Sequence, residues 1–91
     1  MRDLSEWRRE IDALDRELVQ LLNRRAECVL QLAPLKRENK MDVFDPEREK
    51  AVLDNLRSAN TGPLPDASVE AIFECVMAAM RELQVAHVGS K

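Results

Sequence analysis

The sequence predicts an all-α fold of three helices, a long N-terminal one followed by two shorter ones. Three observations carry this. Apolar residues recur at three- and four-residue spacing in three stretches separated by proline, glycine and asparagine signals. The chain has only two glycines among 91 residues and is 34% charged, which disfavours a β-sandwich with its many turns. Aromatic residues are limited to Trp7, Phe44 and Phe73, so the core must come from Leu, Val, Ile, Met and Ala. Apolar content of 45% is ordinary for a globular chain and argues against disorder. The length allows one domain, near the small end of what folds alone.

The first helix is expected from about residue 4 to the high thirties. Asp3, with Glu6 three residues later, forms a capping start. Its stripe runs through positions 7, 11, 14, 18, 21, 25, 28, 32 and 35, a strict four-three alternation of apolar residues broken by Arg25. Pro34 lies inside the same stretch. It removes the hydrogen bond to the Leu30 carbonyl and crowds it, so a kink or local break is expected just before Lys36. Roughly 30 residues up to Pro34 would span about 45 Å. A compact chain of this length has a diameter of about 30 Å. The helix outruns its own domain, and a two-fold dimer is the expected way to cover the rest of its seam.

The second helix is expected to start at "FDPERE", with Asp45 as cap and Pro46 at the first helical position. Val52, Leu53 and Leu56 form its apolar side, and "SANTGP" ends it. The third begins near "LPDAS", with Val69, Ile72, Phe73, Val76, Met77, Met80 and Leu83 as its buried face. Residues 1–85 read as one helical domain, and 86–91 as a flexible tail or the start of a linker.

Several function classes are disfavoured. The net charge is −3 with no run of five like charges, a poor match to phosphate-neutralising nucleic-acid binding. No apolar run approaches 18 residues, and "MRDLSEWRRE" lacks the apolar segment of a signal peptide, so the expectation is a soluble cytoplasmic protein without membrane contact. Cys28 and Cys75 lack metal-ligand spacing and are expected to be reduced and packed.

Four polar residues sit on or beside apolar stripes. Arg25 interrupts the seam, and Lys36, 11 residues on, returns to within roughly 20° of it. Glu49 shares the face of Val52, Leu53 and Leu56, and Gln84 continues that of Phe73, Met77 and Met80. Each alone can be a rim residue that carries its polar head to water, and Arg25 with Glu49 can be a buried ion pair. Taken together, two cations, a carboxylate and a neutral amide describe a polar cavity for an anion inside a helical bundle. Arg8 lies 17 residues from Arg25, about 25 Å away. It cannot easily join such a cavity from the same helix, but in an antiparallel dimer the N-terminal part of one first helix can lie beside the middle of the other.

"RREIDALDRELVQLLNRRAECVLQLAPLK", "FDPERE" and "IFECVMAAMRELQ" together resemble the all-helical chorismate mutases, over about residues 4 to 85. The resemblance implies an intertwined homodimeric bundle that rearranges chorismate to prephenate in aromatic amino-acid biosynthesis, with no cofactor, metal or covalent intermediate. Carried onto these positions, Arg25 and the partner subunit's Arg8 grip the substrate carboxylates. Lys36 reaches the ether oxygen and a carboxylate, with Gln84 as the second donor to that oxygen. Glu49 accepts the ring hydroxyl, helped by backbone at Asp45, and Arg48 lines the site. Asp45 has two readings, helix cap and direct contact. Arg24 and Arg9 are read as solvated neighbours, and His87 has no proton to move.

Two departures from the family pattern stand out. Met80 occupies a position where many members have serine, which puts one polar substrate contact in question, and Pro34 precedes Lys36. The tail "QVAHVGSK" resembles the opening strand of a prephenate dehydratase domain, as in fused mutase–dehydratase enzymes. Two alternatives share the scaffold: a regulatory or dimerisation domain that binds chorismate or prephenate with weak activity, and an isochorismate-pyruvate lyase. A purely structural helical dimer is the remaining alternative.

Overall fold

In a computed structural model, residues 1–89 are described, and they form three helices in chain order: α1 (Leu4–Glu38), α2 (Pro46–Ala59) and α3 (Asp66–Gly89). α1 starts where the carboxylate of Asp3 accepts the Glu6 amide at 2.9 Å, satisfying one of the orphan donors of a helix N-terminus. α3 carries the expected tail residues 86–89 in helix; residues 90 and 91 lie outside the described residues. No described helix is long and apolar enough to cross a membrane.

Pro34 does not break α1, which runs through it to Glu38. The helix ends four residues after the proline, in a closed turn. Lys40 donates its amide to the Arg37 carbonyl at 3.2 Å and Met41 to the Lys36 carbonyl at 2.7 Å. That pair of bonds is a Schellman arrangement, with Lys40 at φ 54° in the place usually held by glycine. The turn sends the chain back along α1, bringing Val43 beside the Lys36 side chain.

α2 opens with Pro46 at its first turn and Asp45 as cap, whose Oδ1 accepts the Arg48 amide at 3.1 Å. Asn60 closes α2 and shapes the turn into α3, donating to the Leu64 carbonyl at 2.9 Å and to Asp66 at 2.7 Å. Gly62 there adopts φ 79°, which its missing Cβ allows, and precedes a cis peptide to Pro63. Arg57 on α2 pairs with Glu70 on α3; that hydrogen bond pushes the guanidinium further above its ordinary value.

α3 is the central element and packs against both other helices. On α1, Ala26, Val29 and Leu30 are half-buried and Ala33 is buried, and the Val29 carbonyl accepts a hydrogen bond from buried Gln84 of α3. This side is not the four-three seam of α1. Trp7, Ile11, Leu14, Leu18 and Leu21 are between 51% and 55% exposed, and Leu32 and Leu35 stay exposed as well. The chain extends over 56 × 28 × 14 Å with a radius of gyration of 16.4 Å, against about 12 Å for a compact globule of this length.

Two expectations about packing are corrected. Ile72 is 51% exposed, on the side of α3 away from Met77. Both cysteines are free thiols as expected but exposed rather than packed. Cys28 lies on the uncovered seam of α1, and Cys75 is about 200° around α3 from Met77.

Candidate functional site

The three helices line an open cavity of about 230 Å³ with a strongly charged lining. α1 supplies Arg25, Cys28, Val29, Leu32 and Lys36, whose three- and four-residue steps keep them along one side of the helix. The first turn of α2 supplies Asp45, Arg48 and Glu49, followed by Val52. α3 supplies Met77, Met80, Arg81 and Gln84, and Val43 completes the rim from the loop. Four cations face two carboxylates, an excess of two positive charges around a small, half-apolar hollow. The N-terminal end of α2 adds its dipole to that field.

Seven of the eight residues singled out from the sequence meet here: Arg25, Lys36, Asp45, Arg48, Glu49, Met80 and Gln84. Arg8 does not. It lies near the exposed far end of α1. Arg9 and Arg24 are exposed and line no part of this cavity.

The polar groups are held, each by a different element. Lys36 is half-buried and donates its Nζ to the Val43 carbonyl at 3.1 Å, which aims the ammonium at the cavity and leaves two of its three protons uncommitted. The helix thus delivers Lys36 to the site despite Pro34. Gln84 is 4% exposed, and its Nε2 donates to the Val29 carbonyl at 3.2 Å. A carbonyl partner fixes which end of the amide faces α1, and one N–H of the amide remains. Asp45 acts as the α2 cap through its side chain, while its carbonyl accepts the Glu49 amide at 3.0 Å.

Arg25 is half-buried and makes no hydrogen bond or ion pair among the described residues. The Arg25–Glu49 pair considered from the sequence is not formed, because Glu49 is taken by Arg81 instead. Arg81 is the residue that the sequence reading missed. Its signal was present: it stands four residues after Met77 and three before Gln84, on the face already identified.

The family model described as chorismate mutase type II matches residues 7–85. A bifunctional chorismate mutase/prephenate dehydratase of Neisseria gonorrhoeae is 42% identical over 86 residues, covering 90% of this chain and 23% of that protein. A chorismate mutase of Methanocaldococcus jannaschii is 33% identical over 54 residues, 59% of this chain and 54% of that one. The chain spans about a quarter of the length of the bifunctional relatives it matches. Among solved structures, a chorismate mutase from Thermus thermophilus superposes with a TM-score of 0.86 at 31% identity, over 89% of this chain and 92% of that one. With a family match over most of its length and the same three-helix fold, this chain belongs to the chorismate mutase type II family.

Proposed function

We propose that this chain is a chorismate mutase domain, working as a homodimer, that converts chorismate to prephenate by a unimolecular Claisen rearrangement. The observation that carries the reading is Arg25, a half-buried cation with no partner among the described residues, facing a cavity with an excess of positive charge. A partly buried charge without a partner gives up part of its hydration with nothing in the chain to replace it, and an anion completes it. A substrate with two carboxylates does so, and a guanidinium fork matches a carboxylate in two hydrogen bonds.

In the reaction the ether C–O bond breaks as a new C–C bond forms, and no proton is gained or lost. Negative charge develops on the ether oxygen in the transition state. Lys36, with two free N–H groups, and Gln84, with one, are the donors for it. Donors already fixed by Val43 and Val29 need no rearrangement when that charge appears, so they stabilise the transition state more than the ground state. Arg25 and the partner subunit's Arg8 bind carboxylate, Arg48 helps hold the ligand, Glu49 with backbone at Asp45 receives the ring hydroxyl, and Met80 packs against the substrate. Confinement of the enolpyruvyl arm over the ring in a hollow of this size supplies a near-attack geometry.

The dimer reading is supported by the uncovered seam from Trp7 to Leu35 and by Arg8. About 25 Å of helix separates Arg8 from Arg25, so only a second copy running antiparallel brings an Arg8 to this cavity. Residues 1–85 are the proposed mutase unit. Met80 favours a second reading, a chorismate- or prephenate-binding domain with weak turnover, since a thioether offers little hydrogen bonding where many members have serine.

The test is to add the purified protein to chorismate, follow the loss of its ultraviolet absorbance and acidify the product. Saturable loss yielding phenylpyruvate is the expected result. Loss no faster than the uncatalysed reaction, from a folded dimer, overturns the mutase reading, and release of pyruvate from isochorismate would identify a lyase.

A further inference from the structure

The Glu49–Arg81 ion pair forms part of a wall between two hollows. Both residues line the charged cavity, and both also line a groove on the other side, with Phe44, Pro46 and Leu53. A glutamate in such a wall has open space on two sides and the torsional freedom to turn to either. Arg81 removes that choice. It donates Nη1 to Oε2 of Glu49, and its guanidinium lies 5.1 Å from the centre of the Phe44 ring. Phe44 lines the groove and not the cavity, so the stack anchors the arginine from behind. Both partners are at most one-third exposed, which shields the pair from water and gives it more weight than a surface ion pair.

The bond from Arg81 engages only Oε2. Oε1 is not engaged by Arg81, and under the function proposed above, on which this inference rests, it is the acceptor for the substrate's ring hydroxyl. We infer that Arg81 is a positioning residue: held by Phe44, it fixes the Glu49 carboxylate so that one oxygen stays directed at the substrate. It is not one of the cations that bind the substrate's carboxylates, because its own charge is already committed to Glu49.

The experiment is a double-substitution cycle read by steady-state kinetics with chorismate. Arg81→Met is expected to remain folded by circular dichroism and to raise KM about tenfold, with a smaller change in kcat. In a Glu49→Ala background the same substitution is expected to change kcat/KM by less than about twofold, because no carboxylate is left to hold. Arg81→Lys keeps the charge but not the planar fork or the stack, and recovers part of the loss. It also carries the cycle if Arg81→Met fails to fold. An equal loss in both backgrounds overturns the inference and makes Arg81 a direct substrate contact, and an Arg81→Met enzyme with wild-type kinetics overturns it too. A wild-type protein with no turnover refutes the mutase reading before any variant is compared, and the inference falls with it.

Discussion

Gln84 of α3 donates its amide to the Val29 carbonyl of α1, 3.2 Å away, in the most enclosed polar position of the described chain. One bond therefore joins the two helices that carry the proposed ether-oxygen donors. Gln84 is held by α1, and Lys36 projects from α1 seven residues after Val29, on the same side of the helix.

Gln84→Leu keeps the volume and removes both amide protons. Loss of a preorganised donor to developing negative charge typically lowers turnover by about 10²–10³. The expected variant is folded, melts within a few degrees of the wild type, and shows that drop in kcat. Wild-type kcat would remove Gln84 from the mechanism.

Arg25→Ala separates function from stability. Removing an unpaired, half-buried cation relieves a desolvation cost, so the melting temperature should hold or rise. Turnover of chorismate should fall by at least about 10², since a carboxylate fork is lost from the site. An active variant refutes the role assigned to Arg25.

The cross-chain role of Arg8 has a test by mixing. Arg8→Ala and Arg25→Ala are each expected to be inactive as homodimers. If Arg8 serves the partner's cavity, a hybrid dimer has one doubly substituted site and one intact site. Unfolding and refolding an equal mixture together should therefore restore about a quarter of wild-type activity, since half the dimers are hybrids. No restoration, with hybrids demonstrated by mass spectrometry, rules out the shared site.

Lys40 holds a left-handed backbone at φ 54° where α1 closes. A side chain there costs about 1–2 kcal/mol, and glycine avoids it at some entropic cost in the unfolded chain. Lys40→Gly should stabilise the protein by about 0.5–1 kcal/mol in urea unfolding, with the slope unchanged. Lys40 lines no part of the cavity, so kinetics should be unaffected.

The candidate site was largely legible because its members lie at helical spacing. Arg25, Glu49 and Gln84 each interrupt or extend an apolar stripe, and a polar residue in such a place signals something beyond packing. Arg81 escaped because it stands next to Met80, itself on that face, and reads as the point where the stripe meets water. Only its partner Glu49, 32 residues away, reveals it. Of the two outcomes expected at Pro34, a kink or a local break, the break is not formed. A proline costs the helix one hydrogen bond and crowds one carbonyl, yet α1 continues through it to Lys36 and closes only at the Lys40 turn.

The order of residues was enough to specify the three helices, their caps at Asp3 and Asp45, and the seam from Trp7 to Leu35. Capping and periodicity depend on residues three or four positions apart, and the chain displays them directly. Packing was needed to settle that α1 turns the side of Ala26, Val29, Leu30 and Ala33 inward and leaves most of the seam exposed. It was needed as well to pair Glu49 with Arg81 rather than Arg25, and to bond Gln84 to Val29, 55 residues away. Close approach of two helices is set by the smallest side chains on the facing surfaces, and ion-pair partners by which charges that approach brings together. Both are properties of the packed chain, not of any local stretch.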